Sequence, residues 1–299
     1  TNQVAEYWVK IPSVSSSANT IFYFYYRTQT TGDGAEPTNV WDSDFAGVYH
    51  LKETGNGTSG EYKDSTANGR HGRGMGGIPS RIDGKIGFGQ DFEDDNDEYI
   101  ELNFPYTVLD DALGVTIEAF IKPESFASLG GIVSNIKSSN SQIGFSLTGS
   151  NPSYLRIEFQ PKTGNFQVVI DNQLPINTNN WYYVAVVLYN NTATFFVNNQ
   201  SSSYSTTFDR LWHETTSVPN MRIGLSNITY SSVCYDGIID EVRISRTNRS
   251  SAWIKASYHS GNDSLLSYGE EETAEVIVQL PTQQLALSQQ TPTIITQKN

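Results

Sequence analysis

Short runs of β-branched and aromatic residues recur through this chain at 47–51, 98–102, 115–121, 144–147, 155–160, 166–170, 181–188, 192–197, 221–224 and 237–244, each bounded by Gly, Asn, Asp or Pro. A chain punctuated in this way is confined to stacked antiparallel strands, because runs of this length span a sheet and the turn residues reverse the chain between them. The strongest local unit is NNWYYVAVVLYNNTATFFVNN, where Asn190 and Asn191 separate two strand runs. Asn tolerates the left-handed backbone of a two-residue hairpin turn, so this unit reads as a β-hairpin. One short helix is expected at 250–257, where Ser250 or Ser251 can cap the first turn and Trp253 and Ala256 share a face.

With 299 residues the chain can form one large β domain or two smaller ones, and its 17 Tyr and 14 Phe supply β-forming apolar surface. The balance of 32 Asp and Glu against 19 Lys and Arg gives a formal charge of −13. Such a chain repels phosphate backbones, so nucleic acid is excluded as an expected partner, and it attracts divalent cations. Cys234 is the single cysteine, so no internal disulfide can form, and a bacterial, phage or otherwise disulfide-free setting is expected. No apolar run approaches the roughly 20 residues of a membrane helix, so no span is expected.

Six segments follow one another in fixed order: VYHLKE, YKDSTANGRHG, GKIGFGQDFEDDNDEYIEL, VTIEAFIKP, NNWYYVAVVLYNNTATFFVNN and GIIDEVRIS. Together they resemble the laminin-G-like module of the concanavalin A-like lectin and glucanase superfamily. The resemblance implies an all-β fold, an antiparallel two-sheet jelly-roll sandwich, over residues 40–272. Residues 1–39, with the strand-like runs EYWVKIPSV and NTIFYFYYRT, resemble the closing hairpin of a small β domain that accompanies such modules in bacterial and phage proteins. Residues 273–299 read as a linker or as the first strands of a further domain.

The resemblance also implies a structural calcium ion. Family members use the Asp of a DSSGNG-like turn and the Asp of an IDEVRIY-like strand, which match Asp64 and Asp240, with Asn68 and Glu241 as weaker additions. The plainer alternative is that Asp64 caps a turn and Asp240 pairs with Arg243 or Arg246. From the residues alone, a second calcium candidate is the run 91–98, where six of eight residues are acidic and Asp94, Asp95 and Asp97 could act as oxygen ligands.

Catalysis has little support. The Glu-x-Asp-x-x-Glu pattern of related glucanases does not occur, and Asp240 and Glu241, being adjacent on a strand, are expected on opposite faces. His50, His71, His213 and His259 have no metal-ligand or triad spacing, and GRHGRGMGGIPSR reads as a flexible surface loop. Sugar binding is better served: Trp212 lies outside any alternating strand, and Tyr230 and Tyr235 fall in the next loop, so these three are candidate ligand-binding residues; for Trp212 the competing reading is a core plug. The expected function is a non-catalytic glycan- or cell-surface-binding module within a larger extracellular or virion assembly, at the cell exterior or virion surface, with a glycan or cell-surface polysaccharide and other subunits as partners. A purely structural decoration or fibre domain is the alternative, and a polysaccharide hydrolase a third.

Overall fold

The computed structural model describes residues 6–15, 17–23, 36–126, 129–137, 141–213, 217–227 and 233–270. A one-turn helix α1 (Pro37–Val40) leads into β1 (Phe45–Tyr49), β2 (Gly72–Met75), β3 (Ser80–Asp83), β4 (Phe88–Phe92) and β5 (Tyr99–Leu102). There follow β6 (Gly114–Pro123), β7 (Gly131–Ser134), β8 (Ile143–Leu147), β9 (Leu155–Phe159), β10 (Gln167–Ile170) and β11 (Tyr182–Tyr189). The chain closes with β12 (Thr192–Val197), β13 (Gln200–Ser205), β14 (Arg222–Ile223), β15 (Gly237–Ser245) and α2 (Ser251–Gly261).

Two antiparallel sheets result, in keeping with the jelly-roll expectation. The larger runs β13-β12-β11-β6-β15-β4-β3, with β1 also on β15, and the smaller runs β10-β9-β8-β7-β14-β5-β2. Strand alternation sends Ile117, Val186, Phe195 and Ile239 from one sheet and Ile100, Phe145 and Ile157 from the other into a common dry core. The expected hairpin is β11–β12, closed by Asn190 and Asn191, both with positive φ.

The other face of the larger sheet is also buried. Phe120, Tyr183, Ala185 and Phe196 point away from the core and are covered by Ile254 and Tyr258 of α2. The helix is fixed at its start, where the Ser250 side chain accepts a bond from the Trp253 amide. Arg249, just before it, makes two bonds of 2.7 and 2.8 Å to Asp42 and lies over the rings of Phe45 and Trp253.

β15 is central to the larger sheet. On one side it pairs throughout with β6; on the other, residues 237–239 pair with β4 and residues 242–245 with β1. The change of partner falls at a bulge where Glu241 has a φ of 52°. A bulge inserts a residue without a ladder partner and so allows a strand to serve two neighbours end to end.

One expectation is corrected. The segment GRHGRGMGGIPSR is not a flexible loop, since it contributes β2 and β3. Its glycines make room rather than slack: a Cβ on Gly72 would lie 2.7 Å from Ile100 Cγ2. In the N-terminal segment, residues 6–15 and 17–23 carry no strand, and residues 24–28 of the run NTIFYFYYRT lie outside the described residues. Residues 6–10 lie across the module as a strap, with Trp8 against His50 at 3.9 Å between ring centres. The stretches 24–35 and 271–299, including the whole expected tail, lie outside the described residues.

Candidate functional site

Of the residues expected to hold calcium, Asp64 and Asn68 lie in the turn after β1 and Asp240 and Glu241 on β15, and most of their polar atoms meet protein partners. Asp64 is buried in the turn after β1. Its Oδ1 accepts from the amides of Val48 and Thr66, and its Oδ2 from the Thr66 hydroxyl and the Arg70 amide, at 2.9–3.1 Å. Asn68 donates through its amide to the carbonyls of Phe45 and Ala46, so it offers hydrogen rather than oxygen to this turn. Asp240 is fully buried and accepts from the Ile86 amide at 2.8 Å, while its Oδ1 has no partner. Burial, with the Glu241 charge adding to it, pushes its carboxyl up to about 8, so it holds its proton at neutral pH.

The bulge corrects the expectation for Glu241. Adjacent strand residues normally face opposite ways, but here Asp240 and Glu241 both lie on the outer face, with Ile239 and Val242 facing the core. Glu241 meets His50 Nδ1 at 2.6 Å, Arg243 at 3.0 Å and the Trp8 indole N–H at 3.3 Å. These ion pairs hold its carboxyl below the usual range against the opposing cost of burial. Calcium takes six to eight oxygens; here both Asp64 oxygens already accept N–H and O–H bonds and Glu241 is ion-paired, which leaves Oδ1 of Asp240 as the unpartnered buried carboxylate oxygen among these residues.

The acidic run folds differently from a ligand loop. Asp94–Asn96 form a single 3-10 turn, Asp97 is left-handed, and Asp95 and Asp97 are exposed. Glu98 turns inward to accept from the Glu93 amide at 2.9 Å. Burial, reinforced by Glu124, Glu93, Glu98 and Asp236, lifts Asp91 to about 6. Among the described residues no three His, Cys, Asp or Glu side chains converge as metal ligands.

Of the aromatic candidates, Tyr230 lies outside the described residues. Tyr235 is not available to a ligand. It is wholly buried, packs edge-on against Phe92 and belongs to the core, where its backbone amide donates to the Gly224 carbonyl just before β15 begins. Trp212 is half-buried, with Lys162 Nζ 4.2 Å from its ring centre and the His213 ring stacked on it. It is therefore neither a core plug nor an open platform.

Trp212 lies at one end of the sandwich. Lys162 also pairs with the exposed carboxylate of Asp111 at 2.5 Å, and Arg210 stands 3.8 Å from that carboxylate. Asp111 opens a shallow groove of about 390 Å³ that continues past Leu113, Tyr189, Arg246, Thr247 and Asn248. The groove forms where β6 begins and β11 and β15 end, beyond the cover of α2. Leu113 and Tyr189 are 60% and 47% exposed, an apolar and aromatic pair left open among polar neighbours. Sequence reasoning missed both, although an apolar residue inside the turn DDALG and a Tyr closing a hairpin strand were visible signals. Among the described residues lining this groove, Asp111 is the one carboxylate. The thiol of Cys234 is buried and pushed up to about 12, which leaves it inert.

The family profile described as the concanavalin A-like lectin/glucanases superfamily matches residues 94–284. The chain belongs to this superfamily. No curated protein sequence matches it. Among solved structures it is similar to the binding domain of Paraclostridial mosquitocidal protein 1, at a TM-score of 0.56 and 14% identity over 73% of this chain and 52% of that one. It is also similar to the binding domain of botulinum neurotoxin DC in complex with SialylT, at a TM-score of 0.51 and 10% identity over 73% of this chain and 52% of that one. The chain thus spans about half the length of both, and at such identities the likeness is one of fold. No helix among the described residues is long and apolar enough to cross a membrane.

Proposed function

We propose that this module is a non-catalytic glycan-binding unit of a larger assembly displayed outside the cell or on a virion, and that the groove at Tyr189 is its sugar site. The observation that carries the reading is an exposed Tyr189 and Leu113 facing Arg246, Thr247 and Asn248 in a shallow groove. Sugars present apolar ring faces and hydroxyl edges, and an aromatic platform rimmed by polar side chains meets both. Relatives of the same fold are named as binding domains, which supports a binding role for the architecture. The test is a glycan array on the full chain and on Tyr189→Ala. Hits that vanish in the variant while its melting temperature is kept support the site; hits that persist unchanged place binding elsewhere.

The structural-display reading is favoured by one different observation. The strap and the residues after it leave Tyr7, Val9, Val14, Ile21 and Tyr23 exposed. Such a row fits a contact with a neighbouring subunit or domain. Light scattering of the full chain across a hundredfold concentration range tests it, and a monomer throughout argues against self-association through this row.

A further inference from the structure

We infer that the Tyr189 groove selects saccharides carrying a carboxylate, with Arg246 as the residue that holds that group; the inference rests on the glycan reading above. Arg246 is exposed at the groove, yet it is held in place from behind. Its backbone amide donates to the Asp44 carbonyl at 2.8 Å, and one guanidinium nitrogen donates to the Asp110 carbonyl at 2.7 Å. A carbonyl neutralises no charge, and no carboxylate of the described residues forms an ion pair with Arg246. The nearby acids have other partners. Asp111 is engaged first by Lys162 and then by Arg210, with Arg246 only a more distant charge, Asp110 by His213 and Gln142, and Asp209 by the amides of Lys162, Thr163 and Arg210 and the Thr163 hydroxyl. A guanidinium fixed at one nitrogen presents its remaining N–H groups as a fork, and the planar partner that fits a fork is a carboxylate.

This placement matters because the chain as a whole carries a charge of −13 and would repel an acidic glycan. The strongly acidic end, with Asp91, Glu93, Asp94, Glu124 and Asp236, lies where β4 and β6 end and β15 begins. The groove sits at the opposite ends of β6 and β15, about ten residues of strand away. At that far end three cations, Lys162, Arg210 and Arg246, stand around Asp111, beside Asp110 and Asp209, so the local charge is balanced rather than strongly acidic. Tyr189 would then carry the sugar ring while Arg246 takes its acid group, so the two residues contribute separable parts of recognition.

The experiment titrates the full chain by calorimetry with a glucuronate-containing tetrasaccharide and with sialyllactose, each beside its carboxyl-reduced form. The expected result is at least tenfold tighter binding of an acidic sugar than of its reduced form. That preference should disappear in Arg246→Gln, whereas Tyr189→Ala should weaken acidic and reduced forms alike. Equal binding of acidic and reduced forms, lost in Tyr189→Ala, overturns this inference and leaves the glycan reading standing. An acidic preference that survives Arg246→Gln overturns it as well. Failure of every sugar to bind removes both.

Discussion

Nδ1 of His50 lies 2.6 Å from Oε1 of Glu241, 191 residues away in sequence, and so fastens the end of β1 to the bulge of β15. The same carboxylate holds Arg243 at 3.0 Å, and Arg243 in turn stands opposite Glu118 on β6. A buried chain of ionisable side chains therefore crosses three strands of the larger sheet.

Removing Glu241 is expected to be costly because it strands the buried Arg243. Glu241→Ala should lose about 3–5 kcal/mol in urea unfolding. Its folded pKa lies below the unfolded value, so its contribution is complete above about pH 4.3 and is lost as the pH falls through the lower folded value. A loss under about 1 kcal/mol would mean that water reaches this network.

Asp240 acts with the opposite sign. Its folded pKa of about 8 is above the unfolded value, so the native state binds the extra proton and stability falls as pH rises between the two. The slope is about 1.4 kcal/mol per pH unit at most. Asp240→Asn should therefore gain melting temperature at pH 8 and gain none near pH 3. A variant destabilised equally at both values would contradict the protonated acid.

Asp64→Ala should unfold the turn it organises, since three backbone amides and one hydroxyl lose their acceptor. Each buried donor left unmet costs about 1–3 kcal/mol, though not additively. The drop in melting temperature should be the same in calcium and in excess chelator. A drop confined to calcium-containing buffer would return an ion to this turn.

Gly131→Ala should be severely destabilising. A Cβ there would stand 2.0 Å from the Ser226 amide nitrogen, which is backbone and cannot swing aside. Expression of Gly131→Ala as a soluble protein with wild-type melting would show that the segment following β14 packs less closely on β7.

Much of this architecture was legible. The runs at 115–121, 181–188, 192–197 and 237–244 fall on β6, β11, β12 and β15, because each pairs a β-branched or aromatic run with clear turn residues. The helix start was legible too, since Ser250 caps it. What escaped were strands without that composition. β2 is built on glycines that admit neighbouring side chains, and β13 is Ser-rich at an exposed sheet edge. The groove escaped because it is assembled from Leu113, Tyr189 and Arg246, which only the pairing of β6 with β11 and β15 brings together. Tyr235 was misplaced because composition does not reveal which way a residue turns as it enters a strand.

The change of partner along β15 governs how the chain reaches its native state. Strands β1, β4 and β6 are made early, yet the strand that all three border is not complete until Ser245. Until then they have no common neighbour, and their edges stay open. Contacts of such long separation make folding slow and leave nascent chains prone to sticking. A ribosome carrying any shorter length of this chain would hold an unclosed sheet, so chaperone demand during synthesis should end abruptly once β15 has emerged.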